Sequence, residues 1–201
     1  MTNADPQRRR RMTPVRRAEI YEAVLALLKD VGYEALTMDA VAIRTGCGKA
    51  TLYRWWGGKP ELVVRAIRHE SPEAAPVADT GSLRGDLHAL LALEDDRTME
   101  RRTALLRSVA MAVNHDRVLL EGVRSHLVGP QTAAVRHVIQ RAIGRGEVAA
   151  DCAALPFVTE VTLGALIART LFEGEPPTQV FLAAYVDAVL VPALTAPARR
   201  S

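Results

Sequence analysis

Aromatic residues make up only 4% of the chain, and clustered β-branched runs with strand-like alternation are absent. Helix formers such as Ala, Leu, Arg and Glu dominate instead, so the composition points to an all-α protein rather than a sandwich or barrel. Cysteine is almost missing. Cys47 and Cys152 lie far apart and form no metal or redox spacing, which excludes a disulfide scaffold and fits a reducing cytoplasm. His69, His88, His115, His126 and His137 supply no metal-ligand spacing, so neither a metal site nor any other cofactor is expected. No apolar run approaches the length of a membrane span, and the four arginines Arg8 to Arg11 are followed by no apolar segment of a secretory signal. The acidic "LEDD" at Leu93 to Asp96 reads as a solvated helix end, and no catalytic acid/base pair stands out.

What is present is a charge asymmetry. Residues 1–70 carry 13 Lys and Arg against 8 Asp and Glu, whereas residues 71–201 carry 13 against 15. A basic first third joined to a near-neutral remainder is the electrostatic footprint of a nucleic-acid module attached to something else.

The spacing divides the chain into a basic arm over 1–13, a helical domain over 14–70 and a second helical domain over 82–201, with the Pro-rich "SPEAAPVADTG" (Ser71 to Gly81) between them. A first helix is expected from Pro14, after the cap Thr13, to Val31, stopped by Gly32. Ile20, Val24, Leu27, Leu28 and Val31 form its apolar stripe. Thr37 caps a short helix from Met38 that Gly46 ends, and another runs from Lys49 to Trp56 before a fourth near Pro60. Two short helices joined by a Gly-containing turn form a helix-turn-helix, whose second helix enters the DNA major groove. Further helices are expected over 82–94, 98–114, 116–145 with a break at Gly129-Pro130, 152–172 and 178–194.

Within the short third helix, Tyr53, Trp55 and Trp56 crowd together and alternate with cations in "GKATLYRWWGGKPEL". The longer stretch "LTMDAVAIRTGCGKATLYRWWGGKPEL" (Leu36 to Leu62) resembles the DNA-binding signature of the TetR family of transcriptional regulators. The shared order is a Thr-capped helix, a Gly turn, a "TLY" recognition helix, an aromatic pair and a Lys-x-Glu-Leu start of the fourth helix. Gly48, Ala50 and Trp55-Trp56 depart from the Ser, Gly and Tyr-Phe usual in that family. The resemblance implies a TetR-like fold of about nine helices, comprising a three-helix DNA-binding domain and a C-terminal ligand-binding and dimerisation domain. It also implies a homodimer on a palindromic operator in double-stranded DNA, most often a repressor released by a small-molecule effector.

Helical spacing sorts the recognition residues. Leu52 and Trp56, four apart, share a face that Ile20, Val24 and Val41 can cover. On the opposite face Lys49, Ala50, Thr51 and Arg54 can reach base edges, the cations toward guanine and the small side chains toward a thymine methyl. Tyr53 and Trp55 flank that face, and by the resemblance they reach phosphates. Thr37 and Lys59 stand at helix N-termini, where a phosphate is favoured. The alternative for each charge is a solvated surface group.

"LPFVTEVTLGALIARTLF" (Leu155 to Phe172) and "VFLAAYVDAVLVPAL" (Val180 to Leu194) are apolar on nearly every side and must be covered on nearly every side. Leu163, Leu166, Leu171, Val180, Ala184 and Val191 are therefore candidates for the interface of a four-helix dimer. Effector-pocket candidates are Leu106, Ala110, Asn114, His126, Phe157, Glu160 and Val161, with ordinary core packing as the alternative. Two other readings stay open: a DNA-binding dimer without an effector, and an enzyme or ligand carrier that keeps the helix-turn-helix as scaffold.

Overall fold

The computed structural model describes residues 12–71 and 76–196, the side chain of Leu171 excepted, so the arginines Arg8 to Arg11 lie outside the described residues. The fold is all-α, with no strand among these residues. Its helices are α1 (Pro14–Ala35), α2 (Met38–Thr45), α3 (Lys49–Trp56), α4 (Lys59–Glu70), α5 (Leu83–Leu91), α6 (Asp96–Val109), α7 (Arg117–Val123), α8 (Gly129–Gly144), α9 (Val158–Ala168), α10 (Gln179–Tyr185) and α11 (Val191–Thr195). A π turn joins α7 to α8 and another joins α10 to α11, so the described residues form nine continuous helices.

The sequence signals act where they are expected. Thr13, Thr37, Ser82 and Thr178 each accept a hydrogen bond from the backbone N–H three residues on, satisfying a donor that the first helical turn leaves unpaired. Gly46 closes α2 in the left-handed region at φ 62°, which a side chain would resist. Gly32, at φ 75° and ψ 172°, ends the regular part of α1. That turn carries Tyr33 into the core and leaves Val31 51% exposed, so Val31 does not belong to the buried stripe.

The expected break at Gly129-Pro130 is instead a widened turn upstream, the π turn Arg124–Val128. Pro130 lacks an N–H and its ring crowds the carbonyl four residues back, at His126, which falls inside that wider turn. Pro192 stands in the same relation to the π turn Val186–Leu190. Two further ends differ from the spacing. The helix α6 stops at Val109, and a 3-10 turn follows at Ala112–Asn114, where packing of Ala112 overrides helix propensity. At the other end, Pro156 holds a 3-10 turn so that α9 begins only at Val158.

The chain divides into two compact units. The first holds 12–71 together with 108–126, a segment that the linker position assigns to the C-terminal domain. Within it α7 packs on α4 through Gly122, where a Cβ would stand 2.3 Å from a Val64 methyl. Its core is Ile20, Val24, Leu28, Leu36, Val41, Leu52, Leu62 and Ile67, with Leu119 of α7 equally buried. The second unit holds 76–107 and 127–196 and has its own core of Leu83, Leu87, Val138, Ile139 and Leu190 among others. Asp86 is completely buried there. Burial would raise its carboxyl, but the Thr80 N–H and hydroxyl, Arg145 and Arg141 outweigh that and hold it below the usual carboxylate range.

Candidate nucleic-acid interface

The helix α3 is held from one side. Leu52 and Trp56 are buried, and the Trp56 indole donates to the Tyr21 hydroxyl at 3.2 Å while the two rings meet edge to face at 5.9 Å. The i, i+4 spacing turns the remaining residues outward. Lys49, Ala50 and Arg54 are exposed, Thr51 is half-buried, and Tyr53 and Trp55 are 45% and 46% exposed. An indole and a phenol left nearly half exposed on either side of Arg54 are an arrangement that packing does not require.

Gly48 begins α3 without a side-chain cap, so the first N–H groups of that helix are unclaimed by a side chain. Lys49 is engaged by Asp39 of α2, Nζ to Oδ2 at 2.8 Å, and this hydrogen bond raises the lysine above its ordinary value. The pair is exposed and individually weak, so it orients Lys49 and leaves it exchangeable. Among the described residues no ion pair engages Arg54. Thr37 is exposed at the start of α2, with its Oγ1 accepting from Ala40 N–H at 3.1 Å.

Lys59 is arranged differently from its neighbours. Its ammonium donates to the Tyr33 carbonyl at 3.0 Å and sits 4.1 Å from the centre of the Tyr33 ring, so the structure turns this cation inward. Tyr33 in turn donates to Asp116 Oδ2 at 3.0 Å, and burial first, then Asp116, push its phenol well up. Arg16, in the first turn of α1, is also tied down. It bonds the Thr45 carbonyl at the end of α2 and pairs with Glu19. Sequence reasoning missed Asp39, Tyr21 and Arg16 as supports of α3 and its turn. No local spacing signals them, because each acts on a residue at least ten positions away.

In the second unit a cavity of about 100 Å³ opens among α5, α6, α8, α9 and α10. None of the seven pocket residues named from sequence lines it. Ala110, Asn114 and His126 belong to the first unit, and Phe157 and Glu160 are exposed. Periodicity marks apolar helix faces without saying which of them meet. Of the interface candidates, Val180 and Ala184 are exposed, Leu163 and Val191 are half-buried, Leu166 lines the cavity, and the Leu171 side chain lies outside the described residues. Phe172 and Ile167, which are not among those candidates, are exposed as well.

Residues 20–66 match the model of the bacterial regulatory proteins of the tetR family, and residues 77–189 match that of the tetracyclin repressor-like C-terminal domain. An HTH-type transcriptional regulator of Mycobacterium tuberculosis is 34% identical over 180 residues, covering 90% of this chain and 88% of that protein. A protein named DNA-binding transcriptional repressor TetR, from Mycobacteroides abscessus, is 32% identical over 170 residues, covering 84% of this chain and 88% of its own. The crystal structure of a TetR-family regulator from Rhodococcus sp. has the same fold, with a TM-score of 0.71 at 14% identity over 90% of this chain and 100% of that one. With a helix-turn-helix whose second helix is anchored by Leu52 and Trp56 and both family models matched in order, this chain belongs to the TetR family of transcriptional regulators.

Proposed function

We propose that this regulator is a cytoplasmic repressor that binds a palindromic operator as a homodimer and leaves it when a small molecule occupies the second unit. The observation that carries the reading is the outward face of α3. Ala50 and Arg54 are exposed between Tyr53 and Trp55, with Lys49 exposed beside them, while Leu52 and Trp56 fix the helix from behind. Arg54 and Lys49 donate to guanine edges, Ala50 and Thr51 meet thymine methyls, and Tyr53, Trp55 and Thr37 hold phosphates. The repressor name of the Mycobacteroides abscessus relative supports the direction of control. The exposed apolar side chains Ile167, Phe172, Val180 and Ala184 support pairing of two chains through the C-terminal helices. No catalytic step is assigned to the protein.

A dimer reads two half-sites in successive major grooves only when its recognition helices are about 34–36 Å apart, so a ligand that prefers another separation weakens DNA binding. The test is selection of bound duplexes from a random library with the purified full chain at fixed salt. Recovery of a palindrome is the expected outcome. Unenriched sequence at several salt concentrations would refute operator reading and leave the helix-turn-helix as scaffold.

A further inference from the structure

Beside the cations of α3 the structure places a carboxylate. Asp39, in the first turn of α2, meets Lys49 at the start of α3, Oδ2 to Nζ at 2.8 Å, and both side chains are more than half exposed. Lys49 lies one turn before Tyr53, so the carboxylate stands beside the outward face of α3. An acid there carries a cost. The Thr37 end of α2 is where a phosphate is favoured, and a negative charge two residues on repels it. Paired with Asp39, Lys49 also has no net charge to offer the DNA backbone, so the couple adds little to a salt-dependent grip. What the couple does offer is a pattern, an ammonium donor and a carboxylate acceptor side by side at hydrogen-bond distance, held by two different helices.

A G·C pair presents the complement of that pattern in the major groove. Guanine O6 accepts from cytosine N4 across one Watson–Crick hydrogen bond, which sets the two atoms a hydrogen-bond length apart, and each keeps capacity toward the groove. With Lys49 over O6 and Asp39 over N4, the second N–H of cytosine reaches the carboxylate and a further ammonium N–H reaches guanine N7, without breaking the ion pair. The other three base pairs fail. Written with the base on the Lys49 side first, C·G and A·T set an amino group against the ammonium and an oxygen against the carboxylate. T·A offers O4 and N6 in the right order, but it puts the thymine methyl where the ammonium seeks N7 and the adenine N7 lone pair beside the carboxylate. We propose that Asp39 is a specificity residue, accepting from the cytosine N4–H of a base pair whose guanine Lys49 reads. The inference rests on reading α3 as the recognition helix of an operator-binding protein, and it adds a residue of α2 to the direct readout.

The test is selection of bound duplexes from a random library by the full-length parent and by Asp39→Ala at the same salt, followed by competition binding. The parent should require G·C at one position of each half-site, and Asp39→Ala should accept T·A there, with the preference for G·C over T·A falling by about tenfold. Affinity for random duplex should not fall with it, since removing the carboxylate relieves repulsion from phosphates. A second measurement leaves the protein unaltered. N4-methylcytosine, placed at each cytosine of a half-site in turn, keeps Watson–Crick pairing and replaces the groove-facing N–H by a methyl. At one position it should weaken the parent by about tenfold and leave Asp39→Ala, which has room for the methyl, unaffected. Selection of the parent's sequence by Asp39→Ala, an equal change of its affinity on every sequence, or indifference of the parent to every N4-methylcytosine overturns the proposal and leaves the operator reading standing. A library left unenriched by the parent overturns both.

Discussion

Arg54 and Lys59 are five positions apart and both carry a cation, yet their surroundings assign them different work. The guanidinium of Arg54 stands exposed on α3, whereas the ammonium of Lys59 is taken up by the carbonyl and ring of Tyr33. The consequence is a paired prediction. Arg54→Ala should cost about 1–3 kcal/mol on the operator and relax preference at one base pair per half-site, with a smaller loss on random duplex. Lys59→Ala should instead lower unfolding stability by about 1 kcal/mol, from a lost hydrogen bond and cation–π contact, and leave the salt dependence of DNA binding unchanged. Competition binding on both duplexes and thermal melting separate the two. A reduced salt slope for Lys59→Ala would show that its ammonium leaves Tyr33 for a phosphate. The Arg54 face was legible in the sequence because Leu52 and Trp56, one turn apart, point the opposite way. The Lys59 arrangement was not, since Tyr33 is 26 positions away and helix-terminus reasoning points the same lysine toward a phosphate.

At the scale of elements, the starts of the helices capped by Thr13, Thr37, Ser82 and Thr178 were legible because a Thr or Ser cap acts within three residues of itself. What the sequence concealed was the return of residues 108–126 to the first unit. One tight contact is Gly122 of α7 against Val64 of α4, 58 positions apart, and no periodicity links them. An added Cβ at Gly122 would stand 2.3 and 2.7 Å from the two Val64 methyls and 3.0 Å from its Cβ, closer than packed carbons tolerate. Gly122→Ala should therefore destabilise the first unit by about 1–3 kcal/mol through overpacking. Adding Val64→Ala removes both methyls, so the double variant should be more stable than the sum of the two single losses. Chemical denaturation of the four proteins measures that coupling. Strict additivity would mean that α7 moves off α4 without resistance, and this contact would then hold neither helix in place.

For the whole molecule, the proposed function depends on two chains acting together, and the outer face of the C-terminal helices offers the surface for it. Val180 and Phe172 are 81% and 82% exposed, with Ile167 and Ala184 also in solvent, although a protein with so few aromatics would gain by burying them. The apolar character of both helices was plain in the sequence. Which residues face inward was not, because a helix apolar all round has no period to read, and Leu166 accordingly lines the cavity. Val180→Lys leaves the buried core untouched, so the chain should keep its melting behaviour while light scattering reports half the mass of the parent. Operator affinity should then fall steeply, since two linked recognition helices bind at high effective concentration and separate ones do not. A full-mass Val180→Lys protein with unaltered operator binding would place the dimer contact elsewhere, and the exposed residues Ile167 and Phe172 of the preceding helix would be the next to receive a charge.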